Sequence, residues 1–237
     1  MHLSLLNLYS AAAIGIIIFA MASIREVRTK ALLYVLPIPI SIGIIATHGI
    51  ITASNVLGLV LTCLFLIGIR TLVDIYHVPI ITADILACIA YVGLGYVLIK
   101  LVHLPFIVMS MLYLALWAVV TWWMHTHQVS DTPSKPSALP PSTKGAIAGG
   151  ISFGIYSFKD LLAGIVVTFP YNGVFAVIEV QHHLNVFVRS VIRNTIAITG
   201  LFATMYYLHA QLPLLLNLLA GWIAFGIILR FSQRITV

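Results

Sequence analysis

Charge is what this sequence has least of. Only 8% of its 237 residues are Asp, Glu, Lys or Arg, with 12 basic side chains against 6 acidic ones. Soluble domains carry about 25% charged residues, so a water-soluble globule is excluded. A disordered chain, which needs low hydrophobicity, is excluded as well, and so is a nucleic-acid binder built on a basic patch. Cysteine is nearly absent. Cys63 and Cys88 both fall in apolar runs and form no CxxC pair, which excludes a disulfide scaffold and a cysteine-based zinc module. No GxGxxG, Walker loop, GxSxG or HExxH occurs. Coupling to ATP and a soluble-type catalytic centre are therefore not expected, and no cofactor is implied.

What fills the chain instead is apolar: 61% of the residues, at a mean hydropathy of +1.11. A helix crossing the hydrocarbon needs about 20 apolar residues. Cutting at charges, Pro and His predicts an all-α polytopic membrane protein of about nine transmembrane helices, near 3–23, 31–47, 50–69, 79–100, 104–123, 146–158, 161–178, 187–208 and 212–229. The segment 146–158 is short and glycine-rich, which suits a re-entrant or tightly packed helix. Ala20-Met21-Ala22 resembles a cleavage site, but only Met1 and His2 precede the apolar run. A secretory signal wants a positive leader, so a retained first helix is expected.

With nine spans, Arg25, Arg28, Lys30, Arg70, Lys135, Lys144, Arg189, Arg193, Arg230 and Arg234 fall on one side, and Lys100 and Lys159 on the other. Cytoplasmic loops carry the excess of Lys and Arg. The expectation is an integral protein of a bacterial inner (plasma) membrane, with the N-terminus outside and the C-terminus cytoplasmic. The Pro- and Ser-rich loop 124–145 reads as a flexible cytoplasmic linker.

The two halves look alike. Residues 30–49 and 159–179 each open Lys-x-Leu-Leu, place a proline near mid-span (Pro39, Pro170), and reach an ionisable residue nine positions later (His48, Glu179). His77 and Pro79 then match His209 and Pro213, and Lys100 matches Arg230, with offsets of 129 to 134 residues. Residues 1–101 and 146–237 are thus two four-helix repeats, joined by the linker helix and loop of 102–145. One helix between them inverts the second repeat, an arrangement on which many secondary transporters are built.

The second half, with its LAGIVVTFPYNGVFAVIE and NVFVRSVIRNT segments, resembles the GlpM-like small four-span integral membrane proteins. The resemblance rests on Phe169, Pro170 and the hydropathy rhythm over about 75 residues. It implies a duplicated four-span fold. Glu179 departs from the pattern, which has a histidine slightly earlier.

Proline within a helix removes a backbone bond and clashes with the preceding turn. Pro37-Ile38-Pro39 and Phe169-Pro170-Tyr171-Asn172-Gly173 are expected to break their spans. Broken spans expose backbone groups that bind ions or solutes; alternatively, neighbouring helices satisfy those groups and the break only shapes packing. Pro39, Ser41, Thr168, Pro170, Tyr171 and Asn172 are the candidate substrate-binding residues, with Arg193 to hold an anionic group. Arg189 and Arg193 share a helix face and would pair with Glu179 or Asp74, or snorkel to the headgroups. Ionisable groups inside spans are costly and functional by default. Asp84 and Glu179 are the candidate proton or cation sites, although Asp84 with Thr82 would also suit a helix N-terminus. Asn55 and Asn194 read as hydrogen-bonding glue between helices.

Nine histidines are present. Asp74-x-x-His77 and Glu179-x-x-His182 place a carboxylate and an imidazole on one helix face, as in bundle metal sites. The leading expectation is a small proton- or ion-coupled secondary transporter, such as a symporter, of a small polar or anionic solute, embedded in lipid and compatible with a homo-oligomer. The alternatives are a membrane-embedded metal-dependent enzyme using Asp74, His77, Glu179 and His182, or a non-transporting assembly subunit.

Overall fold

The computed structural model describes residues 26–46, 49–126 and 165–234, with isolated positions between 12 and 24 and at 140, 142 and 143. The expected span 146–158 lies outside the described residues, as do most of 3–23 and of the 124–145 loop. Among the described residues the fold is helical throughout. The helices are α1 (Val27–Val35), α2 (Ile38–Ala46), α3 (Ala53–Asp74), α4 (Ile80–Leu101), α5 (Phe106–Thr126), α6 (Ile165–Thr168), α7 (Tyr171–Glu179), α8 (Leu184–Leu208) and α9 (Leu214–Arg234), with a 3₁₀ turn at Gln181–His183 before α8. Six segments among them are long and apolar enough to cross a membrane: α1 and α2 taken together, α3, α4, α5, α8 and α9.

Proline sets much of this punctuation. Pro79, Pro105 and Pro213 each precede a helix and accept its first backbone bond, from Ala83, Met109 and Asn217 respectively. A residue without an N–H costs nothing there, because the first-turn donors have no helical partner anyway. Pro39 lies in the first turn of α2 and is tolerated for the same reason. The α3 start is held differently: the Asn55 side chain reaches back to accept the Thr52 N–H at 2.8 Å, half of a capping box. Asn55 therefore serves its own helix end.

Contacts fix the directions. The Lys30 ammonium at the start of α1 meets the Glu179 carboxylate at the end of α7 at 3.2 Å, so the two broken helices run antiparallel. Asn185, at the start of α8, donates to Asp74, at the end of α3. Along α8 and α9, Gly221 sits against Leu201 and Met205, and Gly200 against Ala224 and Ile228, an antiparallel pairing. One end of the bundle accordingly gathers Lys30, Arg70, Arg189 and Arg193, with Arg230 and Arg234 closing α9 towards it. Lys100 lies at the opposite end of α4.

Burial separates the helices into two classes. In both α3 and α8, 61% of the most apolar stretch is buried, against 28% in α4 and 17% in each of α5 and α9. The outer faces of α4, α5 and α9 carry Ile85, Ile89, Met111, Trp122, Leu215 and Ile223, all largely exposed. In water such an apolar surface would aggregate; against acyl chains it is the expected exterior. The protein is an integral membrane protein, all-helical among the described residues.

Candidate functional site

Both proline breaks form as expected, and they meet. The first lies between Val35 and Ile38, the second between Thr168 and Tyr171. A cavity of about 40 Å³ lies between them, lined by Tyr34, Pro39, Thr168 and Pro170 from the breaks and by Thr62 of α3 and Thr195 of α8. By this measure one water needs at least about 10–15 Å³, so the space suits a few ordered waters.

Breaking a helix frees carbonyls, and α3 and α4 supply donors for them. The Thr62 hydroxyl lies 3.0 Å from Thr168 O across the interface and 2.9 Å from Gly58 O in its own helix. The Tyr91 hydroxyl lies 3.3 to 3.4 Å from Gly58 O, Ile165 O and Thr168 Oγ1. This crossing requires glycine at position 58, because a Cβ there would collide with the Thr168 side chain and approach the Tyr91 hydroxyl to 3.3 Å. At the first break, Pro37 O accepts both the N–H and the hydroxyl of Ser41, at 2.7 and 2.6 Å. Ser41 in turn accepts from Trp222 of α9 at 2.9 Å. Side-chain hydroxyls thus meet Pro37 O, Ile165 O and Thr168 O at the breaks.

Asp84 occupies the second turn of α4 and is only 3% exposed. Its Oδ1 is buried without a hydrogen-bond partner among the described residues. A buried polar group left this way costs roughly 2–7 kcal/mol, so it is not a helix cap in this conformation. The carboxyl lines a groove of about 550 Å³ between α4 and the second broken helix, whose wall includes Phe169 and Val174. Phe169 also lines the central cavity, and its ring meets the Tyr91 ring edge-on at 5.2 Å. Phe169 therefore borders both the cavity and the Asp84 groove. Tyr34, which lines the cavity, has its hydroxyl buried and without a hydrogen-bond partner among the described residues.

The other expected site residues divide as follows. Pro39, Thr168 and Pro170 line the cavity; Ser41 lies beside it, engaged with Trp222. The side chains of Tyr171, Asn172 and His182 lie outside the described residues. Arg193 sits two residues from the cavity-lining Thr195, on a different face of α8. Of the carboxylates expected to meet Arg189 or Arg193, Glu179 pairs with Lys30, and Asp74 lies 3.6 Å from Arg70 and accepts from Asn185 at 3.3 Å. The Arg70 guanidinium also stands 5.5 Å over the Trp123 ring. His77 adopts a left-handed backbone, φ 54°, in the turn after α3. Among the described residues, no three His, Cys, Asp or Glu side chains converge as metal ligands.

Tyr34, Thr62, Tyr91 and Thr195 were missed by sequence reasoning. The available signal was a hydroxyl at mid-span in an apolar helix, which needs a partner inside the bundle. No family model, curated protein or solved structure matches this chain.

Proposed function

We propose that this protein is a small secondary transporter, of nine spans, with two inverted four-helix repeats rocking about the paired proline breaks. The observation that carries the reading is that both breaks, 131 positions apart in matched contexts, line one central cavity. Burial supports the repeat. In each half a broken helix is followed by a mostly buried helix (α3, α8) and then by a mostly exposed one (α4, α9). The likeness of the second half to GlpM-like four-span proteins fits the same duplication. Transporters of this architecture bind solute at broken helices near the midplane, between repeats.

The cavity between the breaks is small, and admitting a metabolite requires the broken helices to part. The hydroxyls of Tyr34, Thr62, Thr168 and Thr195 suit a small polar solute; an anionic group would be held by Arg193 from the cationic end of α8 and not from the cavity wall, since residues two apart on a helix do not share a face. Asp84 carries the coupling proton or cation, since a carboxyl buried without a partner gains most from binding one. Glu179, held by Lys30, locks the two breaks together at the cationic end, which the Lys and Arg excess places in the cytoplasm.

The test is proton-coupled flux in proteoliposomes across a panel of polar and anionic solutes, with wild type and Asp84→Asn. A solute-dependent proton movement that the variant loses is the expected result. No saturable flux above that of empty liposomes for any solute, with the protein shown to be folded, overturns the reading.

A further inference from the structure

Beside the central cavity the molecule carries a second space, and its chemistry is different. The groove on α4 opens past Ile85 and Ile89, which are 54% and 64% exposed on a face that looks into lipid. Its walls are Val92, Phe169 and Val174, all apolar. At Gly93 an added Cβ would meet nothing within 4 Å, so the groove is open there. The polar feature at its other end is the Asp84 carboxyl, buried and with Oδ1 unpartnered among the described residues. From Asp84 to Gly93 the helix rises about 13 Å.

We propose that this groove is a lateral binding site for an amphipathic amine, a molecule with one ammonium head and an apolar tail that enters from the bilayer. Charge complementarity selects the occupant. An ammonium supplies the donors and the opposite charge that a buried carboxylate lacks, and such charge-assisted bonds are the strong ones. A neutral lipid of the same length fills the apolar wall but leaves the carboxyl uncompensated. An anionic amphiphile is repelled. Asp84 lies in the second turn of α4, about 6 Å from its start, so the head stays near the polar end of the bilayer while the tail follows α4 towards Gly93. The site rests on the Asp84 groove and does not require transport.

The experiment is equilibrium dialysis of radiolabelled dodecylamine against phosphatidylcholine nanodiscs containing the full chain, with empty discs subtracted and dodecanol as the neutral probe. The expected result is saturable binding of the amine above empty discs, with dodecanol weaker by about tenfold or more. Asp84→Asn should weaken the amine by about the same factor. Gly93→Leu, which fills the open end without touching the carboxyl, should weaken both probes. Folding of each variant is checked by its elution profile and helicity. Equal binding of amine and alcohol, unchanged amine binding in folded Asp84→Asn, or no excess over empty discs each overturns the proposal. Because the readout is binding alone, its failure leaves the transport reading standing, and absent flux leaves this one standing.

Discussion

At the scale of single residues, buried polar groups decide the energetics because lipid offers them nothing. Lys30 and Glu179 have side chains only 7% and 11% exposed and join the two broken helices at one end. Removing one partner of such a pair leaves a buried charge uncompensated, at roughly 3–5 kcal/mol, whereas replacing both with apolar side chains is close to neutral. Glu179→Gln or Lys30→Met alone is therefore expected to lower the thermal midpoint in detergent strongly, and Lys30→Met with Glu179→Leu to recover most of the loss. A loss in the double variant equal to the sum of the two single losses would show that the pair contributes no mutual stabilisation. The proline positions were legible in the sequence because proline acts locally, on its own turn. The hydroxyls that satisfy the breaks were not. Thr62 reaches a carbonyl 106 positions away and Tyr91 one 74 positions away, and no local pattern encodes such a pairing.

At the scale of elements, close backbone approach at Gly58 sets the seat of the second broken helix against α3. Gly58→Ala would drive a Cβ into Thr168 and force apart the crossing that Thr62 and Tyr91 stitch. Overpacking of this kind costs about 1–3 kcal/mol. Gly68 lies in the same helix with nothing within 4 Å of its Cβ position. Gly68→Ala is expected to be neutral or to stabilise by up to about 1 kcal/mol through helix propensity. Thermal unfolding of the two variants side by side checks this, and a Gly58→Ala protein as stable as Gly68→Ala would mean that the crossing yields without cost. Hydropathy located α3, α4, α5, α8 and α9 within a few residues, because a span needs an apolar run of fixed length. It could not rank them. The apolar exterior of α4 and the buried interior of α3 read alike in sequence, since lipid and protein core are equally apolar.

For the molecule as a whole, orientation and span number are one problem. An inverted pair of four-span repeats requires an odd number of crossings, because α5 must carry the chain across once between the halves. The termini then lie on opposite faces. Contacts already gather Lys30, Arg70, Arg189 and Arg193 at one end, with Lys100 at the other. The positive-inside bias turns that clustering into a direction. A C-terminal reporter is therefore expected to be active only in the cytoplasm, and an N-terminal tag to be reached by antibody from outside intact spheroplasts. A cysteine introduced at His103, in the short turn between α4 and α5, should be labelled by a membrane-impermeant maleimide from outside in a background lacking Cys63 and Cys88. Labelling at position 103 together with a tag reached only after lysis would make the number of crossings even. The broken helices would remain antiparallel, as the Lys30–Glu179 contact has them, but the first half would hold three spans against four in the second, and the repeat of four would fall.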